Sequence, residues 1–171
     1  MSLPLRIATL CFIYRKDRTL LLDFRDTQDH LIHAGKVSPA GGKFEESKDR
    51  TIEDCARREI LEEMKIIARS LVYRGKVTFL NENRTINNKP MKNNWEVHVY
   101  DCFDFDDSNA KVGDYGALLW IDREGILDLP LHEGDRVIIR DWLPKYKQFE
   151  GEIVHVGEKL TEARLISSIG L

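Results

Sequence analysis

Glu59, Glu62 and Glu63 fall at i, i+3 and i+4 of one run, so in a helix their carboxylates share one patch of surface. Three like charges that close repel one another. Each i,i+4 like-charge pair costs a helix about 0.2–0.5 kcal/mol, and the crowding raises the carboxylate pKa values unless a cation sits among them. One or two carboxylates together with substrate phosphates is how Mg²⁺ is commonly held, so the pattern fits metal-assisted phosphate chemistry. A plainer reading stands beside it, in which a Glu-rich face is simply solvated and Arg57 and Arg58 are its counter-ions.

The helix that must carry these residues is legible in the segment 41–66, GGKFEESKDRTIEDCARREILEEMKI. Thr51 reads as its N-cap, with Asp54 three residues on as a short-armed capping box. Ile52, Ala56 and Ile60 recur at i, i+4 and i+8 as its apolar stripe. Before it, Ala40-Gly41-Gly42-Lys43 follows a short apolar run, and the diglycine permits a tight turn and close backbone approach to a ligand.

Read together, the GGK turn, the charged gap and Arg58-Glu59-Ile60-Leu61-Glu62-Glu63 resemble the Nudix box, G-x5-E-x7-R-E-U-x-E-E-x-G-U with U aliphatic. That box is the signature of hydrolases that cleave nucleoside diphosphates linked to another moiety. The REUxEE block is intact and Ile66 fills the last aliphatic position. Three departures stand out: the chain from Gly42 to Arg58 is two residues longer than the family spacing, the family's first glutamate aligns with Arg50, and Lys65 replaces the terminal glycine.

The 171 residues, 42% of them hydrophobic, suit one domain, 1–171, with about 145–171 as a C-terminal extension packing on it. A net charge of −3 leaves no electrostatic footprint for long nucleic acid. Cys11, Cys55 and Cys102 are odd in number and lack metal-ligand spacing, as expected of buried free thiols in a reducing cytoplasm. With no signal-type start and no run long enough to span a bilayer, a cytoplasmic protein without membrane contact is expected.

In chain order, residues 7–14 and 20–24 read as a hairpin, and 37–40 as a short strand delivering the diglycine. Residues 26–36 read as an irregular loop, in which His30 and His33 either line the ligand entrance or touch a metal. Strands follow over 66–80, 95–103 and 118–121, with a loop over 81–94. Residues 134–143 read as a helix stopped by Pro144, and the tail offers β-like runs over 152–156 and 163–167. This mixture argues for an α/β fold. The resemblance implies the same architecture in detail: the Nudix fold, an α/β/α sandwich with a mixed β-sheet.

Beyond the box, the chain resembles the 8-oxo-dGTP diphosphatases of the MutT and MutX type, which sanitise the nucleotide pool and so serve DNA repair. The carrying segments are 51–59, the Leu131-His132-Glu133-Gly134-Asp135 stretch and the tail from 146 to 165. The resemblance implies Mg²⁺ or Mn²⁺ held by Glu59, Glu62 and Glu63, with the Gly42 carbonyl and Asp114 as further candidate ligands. Asp114 stands beside Tyr115, where many relatives carry an acid, and is equally a turn residue. Arg58 is expected to anchor the glutamates or the loop by ion pairs. Thr9, Arg25, Ser38, Lys43 and Asp135 are the candidate substrate contacts. Of these, Lys43 faces either phosphate or solvent, and Asp135 is either a purine contact or a helix-dipole residue. Ser38 and Gly134 depart from the branch's base-reading pattern.

The expected reaction is hydrolysis of an oxidised purine nucleoside triphosphate, 8-oxo-dGTP, to monophosphate and pyrophosphate, by a monomer or homodimer acting on a small-molecule nucleotide. The alternatives are hydrolysis of ADP-ribose, a nucleotide sugar or RNA 5′ ends, or a nucleotide-sensing module without catalysis.

Overall fold

In a computed structural model of the protein, residues 2–15, 20–24, 35–86, 89–111 and 117–171 are described, with backbone only at 20–24, 86 and 89. Strand β1, Leu5–Tyr14, lies inside the sheet, parallel to β7, Asn94–Asp106, and antiparallel to β2, Leu20–Phe24. Its side chains alternate between two buried layers. Cys11 and Ile13 join one apolar cluster and Phe12 the other, and all three are fully buried. From Ala8 onward the strand is covered on both faces and has no polar side, which is why its sequence there is apolar apart from Thr9.

The sheet is mixed and eight-stranded, in the order β10-β9-β4-β7-β1-β2-β3, with β8, Ala117–Ile121, also paired to β2. Here β3 is Val37–Ser38, β4 Ile67–Glu82, β9 Tyr146–Val156 and β10 Lys159–Gly170. Helix α1, Ile52–Met64, covers one face through Ala56, Ile60 and Met64, packed with Cys11, Ile13, Tyr100 and Cys102. On the other face a 3₁₀ turn, Gly125–Asp128, and the helical stretch that begins with α2, Glu133–Val137, pack on Phe12, Val77, Val99 and Phe149. The result is the expected α/β/α sandwich around a mixed sheet.

Several expected bounds move. The stretch 134–143 is not one α-helix: α2 passes into a π-helical turn, Ile138–Trp142, in which the Leu143 N–H reaches back five residues to the Ile138 carbonyl at 2.9 Å. The expected loop 81–94 begins inside β4 and holds two short paired strands, β5, Thr85–Ile86, and β6, Lys89–Pro90. The tail strands are longer than their apolar runs, because β9 joins β4 in parallel and the backbone ladder carries residues that periodicity does not mark. The three cysteines are free and buried, as expected. No helix among the described residues is long and apolar enough to cross a membrane.

Helix α1 starts and stops as its sequence dictates. The Thr51 side chain accepts from the Asp54 N–H at 3.1 Å, and Asp54 returns the bond to the Thr51 N–H at 3.0 Å. At the other end Lys65 adopts the left-handed conformation, φ 55°, with its N–H on the Leu61 carbonyl. The family's glycine position is thus kept in geometry and lost in residue type. A side chain in that region costs of order 1 kcal/mol. Lys65→Gly is therefore expected to raise stability by about 1 kcal/mol, a rise of about 2–4 °C in Tm by calorimetry, with α1 and its glutamates undisturbed.

Candidate active site

The diglycine turn is clamped between β1 and α1. The Thr9 N–H donates to the Gly42 carbonyl at 2.9 Å, and the Gly41 N–H donates to Glu63 Oε2 at 3.0 Å. A Cβ on Gly41 would lie 2.1 Å from the Thr9 carbonyl oxygen, a clash with backbone that cannot move aside. One on Gly42 would lie 2.4 Å from Glu59 Cδ, so the Glu59 carboxylate is packed directly on the Gly42 backbone and would have to shift for a side chain there.

Arg58 holds this arrangement together. Its Nε and Nη2 donate to the two oxygens of Asp49, each at 2.8 Å, in a bidentate pair. The same guanidinium reaches Glu59 at 2.7 Å, Glu62 at 3.2 Å and the Lys43 carbonyl at 2.9 Å. The expected anchoring geometry is present, and it includes a residue the spacing did not identify. Arg50, aligned with the family's glutamate, is exposed, and Asp49 one residue earlier turns inward. The Arg58 hydrogen bonds hold the Asp49 carboxyl at a pKa of about 2, against the cost of its burial.

Glu59 is pulled two ways electrostatically. Burial raises its pKa, Arg58 opposes that shift, and Glu63 and Glu62 add to it. Among the described residues no three His, Cys, Asp or Glu side chains form a ready metal cage. The donors fit a different kind of site, in which a half-buried carboxylate pressed on a backbone turn lies beside a second carboxylate bound to the same turn. Such an open set suits a cation that takes its remaining ligands from water and substrate phosphate. The Gly42 carbonyl already accepts from the Thr9 N–H and, at 3.9 Å, from the Cys55 thiol, so a ligand there would displace the weaker thiol contact.

A cavity of about 260 Å³ opens beside the turn. Thr9, Ser38, Gly42, Lys43 and Asp135 all line it, so two strands, the diglycine turn and a helix bring five of the candidate residues together. Its apolar walls include Phe79, Met91, Trp95 and Val97. Arg25, Asp114, His30 and His33 lie outside the described residues. Asp135 is buried, and burial pushes its carboxyl up to about 7, with Arg84 pulling the other way. Sequence reasoning missed Arg84 and His155, which line the same cavity from the end of β4 and from β9. No local motif marks them, and only the parallel pairing of β4 with β9 brings them together.

The profile of the NUDIX domain matches residues 4–142. Among solved structures, the MutT protein from Bacillus halodurans is 20% identical, with a TM-score of 0.74 over 94% of this chain and 97% of that one. The MutT protein from Methanosarcina mazei is 21% identical, with a TM-score of 0.66 over 83% and 95%. The NUDIX domain of Shewanella oneidensis NrtR, crystallised with ADP ribose, is 17% identical, with a TM-score of 0.60 over 81% and 85%.

Removing one partner of the Arg58–Asp49 pair leaves a charge with little water around it. Asp49→Asn is expected to cost about 3 kcal/mol in urea denaturation at pH 7. The sign with pH follows from the depressed carboxyl. The contribution is complete above the ordinary carboxylate pKa near 4 and is lost as pH falls through about 2. Wild-type stability should drop across that window by more than that of Asp49→Asn, and equal acid profiles would show that the pair contributes nothing.

Proposed function

The chain belongs to the Nudix family, whose hydrolases act on phosphorus-containing anhydrides, and on that premise we propose that it hydrolyses oxidised purine nucleoside triphosphates, 8-oxo-dGTP above all. The products are the nucleoside monophosphate and pyrophosphate. One observation carries the reading: the cavity beside the diglycine turn, on which Glu59 and Glu63 pack, also reaches Asp135, a buried carboxyl suited to a nucleobase edge.

Glu59, Glu62 and Glu63, with the Gly42 carbonyl, would hold Mg²⁺ or Mn²⁺. A divalent cation there supplies neutralisation of the phosphate oxygens and a water of lowered pKa. The rest is done by the chain. Arg58 keeps the glutamates oriented by its bonds to Glu59, Glu62 and Asp49. One carboxylate of the set, or Asp114, accepts the proton of the attacking water. Lys43 offers positive charge to the phosphates, and Thr9 and Ser38 shape the cleft between phosphate and base. An oxidised guanine carries an N7–H that guanine lacks, so an acceptor at Asp135 favours the damaged base.

A second reading, hydrolysis of ADP-ribose, draws support from the NrtR domain, which shares the fold and binds that ligand. The two readings separate in one assay. Wild-type protein with Mg²⁺ is expected to release pyrophosphate from 8-oxo-dGTP with a kcat/KM at least about tenfold above that for dGTP, and to leave ADP-ribose largely intact. Glu62→Gln should lower that turnover by about 100-fold or more. Unchanged turnover in the variant, or a preference for ADP-ribose, would sink the proposal.

A further inference from the structure

Arg84 is an unusual residue to find in this cavity. Its Nη1 donates to Asn81 Oδ1 at 3.0 Å and lies 3.4 Å from His155 Nδ1. Asn81 is itself fixed, since its N–H meets Asn94 Oδ1 at 2.8 Å and its Nδ2 meets the Asn93 carbonyl at 2.9 Å. His155 is buried and stacked on Phe79, with ring centroids 6.4 Å apart. The guanidinium is thus oriented by two held neighbours. Its Nε–H is buried and has no hydrogen-bond partner among the described residues.

A buried donor left without an acceptor is costly, and the cost is recovered when a ligand brings the acceptor. Asp135 lines the same cavity and feels the charge of Arg84. A fixed N–H donor in this cavity complements the carbonyl of a lactam. Guanine, hypoxanthine and their oxidised forms present that group at the 6-position. Adenine presents an amino donor there instead and would leave the Arg84 donor mispaired.

We propose that Arg84 is a specificity residue that donates to the 6-carbonyl of a purine and so excludes 6-aminopurines from the cleft. The proposal rests on the nucleotide reading of the cavity given above. It adds a residue that reads the 6-position.

The test is equilibrium binding of dIMP and dAMP, which differ only at the lactam, to the full chain by calorimetry. Binding does not require turnover, so a chain that hydrolyses nothing still answers the question, and loss of hydrolysis would count against the proposed reaction alone. Wild-type protein is expected to bind dIMP at least about tenfold more tightly than dAMP. Arg84→Met should bring the two affinities to within about twofold by weakening dIMP alone, and Arg84→Lys should restore part of the preference. A purely structural role for Arg84 would weaken both ligands equally. No preference in the wild type, or a preference kept in Arg84→Met, overturns the proposal, and the wild-type comparison stands even if the methionine variant does not fold. Failure of both ligands to bind at millimolar concentration overturns this proposal and the nucleotide reading with it.

Discussion

One guanidinium makes the acidic face of α1 sustainable. Glu59, Glu62 and Glu63 crowd a single turn, and Arg58 gives two of them a fixed positive partner, while the Gly41 N–H takes the third. Asp49 in turn keeps Arg58 from collapsing onto the glutamates, because its bidentate grip uses Nε and Nη2 and leaves Nη1 to share. The loop and the helix are therefore one electrostatic unit. Negative charge is concentrated where a phosphate-bound cation would be welcome, and the repulsion is held at a level the fold can carry without it.

The sheet supplies the other half of that arrangement. With β1 buried on both faces, its backbone cannot shift without disturbing two cores, and the diglycine is hydrogen-bonded to that strand at Thr9. The steric tightness at Gly41 and Gly42 follows from the same packing. Rigidity at the turn is matched by a mostly apolar cleft whose polar groups are few and fixed, which is the usual construction of a small-molecule site.

What could be read from the chain was what is written locally. The α1 cap, its apolar stripe and the i, i+3, i+4 glutamates all depend on residues within a few positions of one another, and each stands where expected. The β1–β2 hairpin is legible for the same reason. What escaped depends on residues far apart. Asp49 escaped because it lies one position before Arg50, the residue that the family spacing counted back from Arg58 selects. Arg84 and His155 are 71 positions apart and carry no motif. The π-helical turn at Ile138–Trp142 was invisible because its apolar periodicity is close to that of an ordinary helix.

The two parallel pairings have a kinetic consequence. Leu5 lies opposite Asn94, and Gly75 opposite Phe149, so neither ladder can begin until a long intervening stretch has been brought round. Such high contact order makes for slow folding, because chain entropy is lost before the contacts that repay it form. Helix α1, stabilised within its own few turns, is available early, whereas the far wall of the cleft forms only when β9 docks on β4. The cleft is thus among the last parts of the chain to be assembled.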